Sequence, residues 1–125
     1  MNPTRIALFD LADKRLAWID RRQALLAQNI ANADTPGWRS RDLAPFDAAL
    51  KATGVALAQT NPKHLVGTSA AAQGILEGKG EHALNGNGVA LDKELSKVAD
   101  ADAMHQLVTD LYKKYVSFFQ TALGR

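Results

Sequence analysis

The sequence predicts an all-α fold, in which long N- and C-terminal helices pair as a coiled-coil-like hairpin beside an irregular middle segment. Two observations support this prediction. Large apolar residues concentrate in residues 3–32 and 89–123, where they recur at the spacing of one helical face. Residues 51–88 instead combine a few large apolar side chains with many Ala, Gly, Thr and Asn residues. The two ends of this 125-residue chain must therefore supply most of the buried surface.

The first helix is predicted over residues 3–32. Asn2 and Pro3 are a favourable start, because an Asn side chain can cap a helix and Pro presets φ at its first position. The helix should end near Asn32, since Pro36 cannot continue it. Its apolar surface is too wide for an isolated helix, so it should pack against a partner. The residues predicted to make that contact are Leu8, Leu11, Trp18 and Leu25.

Residues 33–88 are predicted to form a turn followed by an irregular middle segment. Within it, residues 43–50 could form a short helix or strand. The remainder shows little periodicity and is far longer than an ordinary loop of a compact domain. We therefore expect this segment to be flexible in the isolated monomer and to become ordered when neighbours pack on it.

The second long helix is predicted over residues 89–123, where apolar residues fall near heptad spacing. Both helices would be about 45–50 Å long at roughly 1.5 Å per residue, so they could pair in parallel or antiparallel orientation. Residues 1–125 are interpreted as one subunit domain. The residues predicted to pack in this helix are Leu95, Val98, Leu111, Tyr115 and Phe118.

Charge and composition argue against several function classes. The 15 basic and 13 acidic residues are mixed along the chain, whereas nucleic-acid binders usually cluster Lys and Arg, so no nucleic-acid partner is expected. The absence of cysteine excludes disulfides and thiolate metal sites. Neither a signal peptide nor a membrane-spanning apolar run is recognised in the sequence. We expect a cytoplasmic protein, or one that leaves the cell without a cleaved signal.

Catalytic and cofactor sites are not expected. His64, His82 and His105 lack the close spacing of metal-binding histidines. Residues 74–79 fall one residue short of a phosphate-binding loop. No nucleophile, base and orienting group can be placed together. We therefore predict no enzyme activity, no metal or cofactor and no small-molecule substrate, and interpret His105 as a packing residue.

The most informative segment is residues 29–38. Asn tolerates left-handed backbone geometry, Pro and Gly set a turn, and an aromatic ring can fold back over the helix end. On physical grounds alone, this pattern is satisfied by an ordinary helix terminus and contains nothing that resembles a catalytic centre. The residues singled out as an assembly motif are Asn29, Ile30, Ala31, Asn32, Thr35, Pro36, Gly37 and Trp38.

This segment resembles the N-terminal signature NIANxxTPGY of the family of flagellar rod, hook and hook-associated proteins. Trp38 stands where that family commonly has Tyr or Phe. Three further segments, at residues 25–28, 60–65 and 86–94, resemble the proximal rod members of the family in sequence, order and spacing. The family commonly has an acidic residue at the position of Ala90 and an aromatic residue at that of His105, so the start and one packing position of the second helix depart from its pattern.

The resemblance implies a structural subunit of the proximal rod of the flagellar basal body, which assembles through helix packing and transmits torque across the periplasm for motility. It implies that the partners are further copies of the chain, other rod proteins, proteins of the junction between membrane ring and rod, and the flagellar export apparatus. It also implies export to the periplasmic rod without a cleaved signal peptide. The alternative is a small helical adaptor that docks a partner helix.

Overall fold

A computed structural model of the chain describes residues 7–53, 74–78 and 88–124. The elements in chain order are helix α1 (Ala7–Ala31), strand β1 (Arg41–Leu43), helix α2 (Phe46–Thr53), strand β2 (Ile75–Glu77) and helix α3 (Leu91–Ala122). The predicted mainly helical class with long terminal helices is confirmed. The predicted helix start at Asn2 and Pro3, the segment 60–65, and His64 and His82 lie outside the described residues. The assignment of residues 1–125 to one domain stays a prediction.

Helices α1 and α3 form an antiparallel hairpin. The ring of Phe9, near the start of α1, lies 4.8 Å from that of Tyr112 between centroids. Further along α1, the Gln23 side chain donates a hydrogen bond to Asp102. Asn29, near the end of α1, contacts the first turn of α3. Partner positions on α3 thus fall as positions on α1 rise, which resolves the orientation that the sequence left open.

The core of the hairpin lies toward the end of α1 and the beginning of α3. Ile19 and Leu26 of α1 are fully buried, and Ala101 of α3 is nearly so. Leu43 of β1 and Val89, just before α3, close the core from the side of the middle segment. Burial of these apolar side chains stabilises this end of the hairpin through the hydrophobic effect. The opposite end, where α1 begins and α3 finishes, keeps large apolar side chains exposed.

The described part of the middle segment contains regular structure beyond the turn and the short helix or strand that the sequence predicts. Strands β1 and β2 pair antiparallel, with Arg41 opposite Glu77 and Leu43 opposite Ile75. Helix α2 overlaps residues 43–50, for which the sequence predicts a short helix or strand, and the structure has the helix there. Strands of 3 residues carry too little alternation to be recognised as strands in a sequence.

A close backbone contact joins the entry of α3 to the chain that follows α1. Arg39 and Gly88 form a parallel β-bridge. A Cβ atom on Gly88 would collide with the main-chain oxygen of Trp38. Glycine is therefore required at this position by the close approach of two backbones.

Helix α3 begins without a side-chain cap. Ala90 occupies the N-cap position in extended geometry, and its side chain makes no capping hydrogen bond. Asp92 and Glu94 lie in the first turn, where negative charge is favourable because the helix dipole is positive there. The acidic side chains inside the helix thus partly replace a cap at the position where this sequence departs from the family pattern.

Candidate assembly surface

The motif at residues 29–38 ends α1 through hydrogen bonds of its side chains. Asn32 donates from Nδ2 to the carbonyl oxygen of Gln28 over 2.8 Å, and the same carbonyl accepts the Asn32 N–H over 3.1 Å. The Thr35 hydroxyl lies 3.2 Å from Asn32 Oδ1. No asparagine of the described residues has a positive φ, so these side chains act through hydrogen bonds and not through the left-handed geometry that the sequence suggested.

Residues 35–38 form a tight turn directly after the helix. The Trp38 N–H donates to the carbonyl oxygen of Thr35 over 3.2 Å. Pro36 precedes Gly37, whose φ is 76°. A proline followed by a residue with positive φ is the pattern of a type II β-turn. This turn reverses the chain and delivers it to β1.

Asn29 is the buried polar centre of the hairpin, with its side chain fully inaccessible to solvent. Its Nδ2 donates to the carbonyl oxygen of Arg41 over 2.7 Å and to Oε2 of Glu94 over 2.8 Å. Its Oδ1 accepts a hydrogen bond from the Arg41 N–H over 2.9 Å. One amide side chain therefore connects α1, β1 and α3.

The network continues from Glu94, which is 2% exposed, to the surface of the hairpin. Lys97 Nζ lies 2.9 Å from Glu94 Oε1 and 3.7 Å from Asp42 Oδ2. Arg22 donates to both oxygens of Asp42, over 2.9 and 3.0 Å. The hydrogen bonds to Asp42 raise the pKa of Arg22, outweighing the opposite effect of burial. We name these five residues, Asn29, Glu94, Lys97, Asp42 and Arg22, the polar corner.

The polar corner fixes the angle between the end of α1, β1 and the start of α3. Buried polar groups need partners in specific positions, so the corner admits one register of the two helices. Asn29 was predicted as a motif residue, whereas its partners in the polar corner were not predicted. Asn29 and Glu94 are separated by 65 positions, so no local spacing in the sequence relates them.

The other motif residues lie around this corner. Trp38 is half-buried, and the guanidinium carbon of Arg41 lies 5.1 Å from the centre of one of its rings. Ile30 is half-buried as well. The remaining motif residues apart from Asn32 are exposed, namely Ala31, Thr35, Pro36 and Gly37.

The predicted packing residues fall into two groups. Leu25 is buried, and Trp18 and Val98 are half-buried within the hairpin. The Trp18 Nε1 donates to the carbonyl oxygen of Ala44 over 3.0 Å. The other six are exposed, and their role as contacts stays a prediction. These exposed residues are Leu8, Leu11, Leu95, Leu111, Tyr115 and Phe118.

His105, the remaining residue interpreted as packing, is only half-buried on α3. Its Nε2 atom lies 4.0 Å from Oδ1 of Asp20 on α1. It thus faces the other helix at the edge of the hairpin. Within the described residues, no group of His, Asp and Glu side chains is arranged to hold a metal ion.

The exposed apolar residues concentrate at the open end of the hairpin, where α1 begins and α3 finishes. The C-terminal half of α3 is apolar around much of its circumference, and Phe118 is 56% exposed. Further exposed residues of this half of α3 are Leu107, Leu111, Tyr112, Tyr115 and Phe119, and Leu123 directly after the helix is exposed as well. Isolated exposed apolar residues are ordinary, whereas contiguous ones mark interaction sites. We name this region the open-end surface.

Among the helices that the structure describes, none combines the length and apolar character needed to cross a bilayer.

The chain is similar to rod proteins of the bacterial flagellum, whereas no family model matches it. It is 35% identical over 118 residues to the flagellar basal body rod protein FlgB of Agrobacterium fabrum, covering 88% of this chain and 87% of that protein. It is 35% identical over 99 residues to the protein of the same name from Salmonella typhimurium, covering 70% and 71%. The corresponding Escherichia coli protein is 36% identical over 99 residues.

Proposed function

This chain belongs to the FlgB family of flagellar basal body rod proteins and is a structural rod subunit, and from that premise we propose that it builds the proximal part of the rod. In this proposal, the chain assembles by packing its terminal helices against those of neighbouring subunits. The assembled rod transmits torque for motility. The role requires packing and stiffness, and we propose no catalytic activity for the chain.

The open-end surface is the observation that carries the proposal. Leu107, Leu111 and Phe118 are 53%, 45% and 56% exposed, although each is large and apolar. Burying such side chains against a neighbour gives about 25 cal/mol for each Å² of apolar surface removed from water. A subunit that completes its apolar packing only in an assembly is suited to a rod.

The polar corner supports the mechanical part of the proposal. A rod transmits torque only if each subunit resists bending between its helices. The hydrogen bonds of Asn29 join three elements at one point, and the bidentate ion pair of Arg22 with Asp42 adds a second tie. These connections hold the hairpin angle fixed under load.

Location and partners follow from the family. The chain resides in the flagellar basal body, where it assembles with other rod and basal-body proteins. We further propose that it lies in the periplasmic part of the rod and contacts the junction with the membrane ring. Export through the flagellar type III apparatus, without a cleaved signal peptide, is part of the same proposal. Secretion that persists in a strain lacking the export gate would contradict it.

A deletion strain tests the proposed position. Electron microscopy of basal bodies from that strain should show membrane rings without a rod, and the cells should be non-motile. Re-expression of the wild-type chain should restore both. Among complementing variants, Ile30→Asp should impair assembly more than Arg21→Ala, since Ile30 is half-buried beside the helix end and Arg21 is exposed. Normal flagella in the deletion strain would reject the proposal.

The helical adaptor is not favoured by the relatives. An adaptor would work as a soluble monomer or dimer with a protease-resistant core, and its loss would leave the rod intact. The deletion experiment therefore separates the two functions as well.

A further inference from the structure

A groove runs along the open end of the hairpin, between the first half of α1 and the second half of α3. Leu8 and Leu11 form one wall, and Leu111 and Tyr115 form the other. The groove encloses about 280 Å³, and Phe46 of α2 lies at its edge. Its walls are the apolar residues of two helices, a shape into which a third helix can pack.

Arg15 is the charged residue in this apolar lining, and it lies one helical turn after Leu11 on α1. Its guanidinium carbon lies 4.9 Å from the centroid of the Trp18 ring and 4.6 Å from the centroid of the Phe46 ring. The two aromatic rings hold the cation in place by their quadrupoles. Arg15 lines both the groove and the adjoining cleft that contains Arg22 and Asp42.

Arg15 lacks a carboxylate partner among the residues that the structure describes. The neighbouring Asp42 is engaged by Arg22 in a bidentate pair and approached by Lys97. Burial, and then the positive charge of Arg22, lower the pKa of Arg15. The side chain nevertheless remains charged at physiological pH. An unpaired cation fixed at the edge of an apolar groove favours a ligand that brings a negative charge to that point.

We propose that this groove binds an amphipathic α-helix of a neighbouring axial subunit, and that Arg15 selects a helix with an acidic side chain beside its apolar stripe. The inference rests on the proposed function, because a rod subunit must present surfaces for the helices of its neighbours. The charge complementarity adds the chemical class of the partner. The apolar walls supply the buried area, and the ion pair sets the register and the choice of helix.

The position of Arg15 also sets where the acid must lie. Arg15 follows Leu8 by seven residues, which is about 10 Å along a helix at roughly 1.5 Å per residue. A bound helix should therefore place its carboxylate about two turns from the apolar side chain that packs beside Leu8. A peptide with a central glutamate and leucines two turns away on both sides satisfies this in either orientation.

Two synthetic helical peptides test the inference with the full-length chain. Both carry the leucine stripe just described, and they differ only in a central Glu or Gln. Fluorescence anisotropy of labelled peptides at low and at physiological salt measures their affinities. The wild-type chain should bind the Glu peptide about tenfold more tightly than the Gln peptide, as expected for a charge-assisted hydrogen bond.

Variants of the chain distinguish selection by charge from a structural role of Arg15. Arg15→Gln should abolish the preference for Glu, whereas Arg15→Lys should retain part of it. Arg21→Gln is the matched control, since it removes the same charge from α1 outside the groove lining, and it should keep the full preference. A variant that merely disturbs the groove would weaken both peptides equally and leave their ratio unchanged, which would overturn the inference.

Equal affinities of the two peptides for the wild-type chain, or no binding of either at millimolar concentration, would also overturn it. Such a failure is distinguishable from failure of the proposed function. A wild-type chain that restores the rod in the deletion strain but ignores the peptide charge would refute the role of Arg15 and leave the rod assignment standing.

Discussion

Replacement of Asn29 by alanine should destabilise the hairpin strongly, although it changes one small side chain. The substitution removes two donated hydrogen bonds and one accepted hydrogen bond at a fully buried position. Two of these involve the main chain of Arg41, and one involves the carboxylate of Glu94. With about 1 kcal/mol for each neutral bond and about 1.5–3 kcal/mol for the bond to a charged group, the expected loss is about 3.5–5 kcal/mol.

Asn32→Ala is the matched control for this prediction. Asn32 belongs to the same motif, but its side-chain hydrogen bonds to Gln28 and Thr35 are exposed to water. Water can replace an exposed hydrogen bond, so this change should cost only about 0.5–1 kcal/mol. The comparison separates the effect of the buried corner from that of losing any asparagine at the helix end.

Denaturant unfolding followed by circular dichroism gives the free energy of unfolding of each variant. A double-mutant cycle with Glu94→Ala then isolates the interaction of Asn29 with the carboxylate, for which we expect a coupling energy of about 1.5–3 kcal/mol. Asn29→Asp should cost at least as much as Asn29→Ala, because it places a second carboxylate beside Glu94. Equal losses for Asn29→Ala and Asn32→Ala, or a coupling energy near zero, would refute the reasoning.

Three further predictions concern other parts of the structure. Gly88→Ala should lower the free energy of unfolding by more than about 2 kcal/mol, because the new Cβ atom would collide with the main chain of Trp38. Gly37→Ala should lower it by only about 1 kcal/mol, because the cost there is that of a positive φ. The reverse order would contradict the close approach of the backbones at Gly88 and Trp38. Asp42→Asn should cost about 1–2 kcal/mol, measured by the same unfolding assay, and the loss should shrink in 1 M salt because the pair is partly exposed. Phe118→Ser should leave the thermal midpoint of the free chain nearly unchanged but reduce its incorporation into isolated basal bodies, and Gln120→Ser, at another exposed position of α3, is the control. Normal incorporation of both variants would remove Phe118 from the assembly surface.

The long helices and the helix stop could be predicted because their causes are local. The apolar residues of α1 and α3 repeat within a few positions of one another, and Pro36 cannot be accommodated in a continuing helix. The motif at residues 29–38 was recognised by the same short-range pattern. The observed helix bounds, Ala7–Ala31 and Leu91–Ala122, lie within a few residues of the predicted ones where the structure describes them.

The inner and outer faces of the hairpin were less predictable. Leu25 and Leu95 both carry the pattern of packing residues, yet Leu25 is 8% exposed and Leu95 is 52% exposed. Periodicity identifies an apolar stripe but does not tell which part of a wide stripe meets the partner within the subunit. That division depends on the crossing of the two helices, which only the folded chain defines.

The sequence by itself therefore determined that two long amphipathic helices flank a turn of the rod-protein type, because propensity, periodicity and turn chemistry act over a few neighbouring residues. The tertiary structure alone decided that the helices run antiparallel and that two strands pair in the middle. It also decided that Asn29 meets Glu94 across 65 positions, and that Arg15 lies against two aromatic rings with no acidic partner among the described residues. These features arise from contacts between distant segments, and such contacts depend on the relative placement of whole elements, which no local pattern encodes.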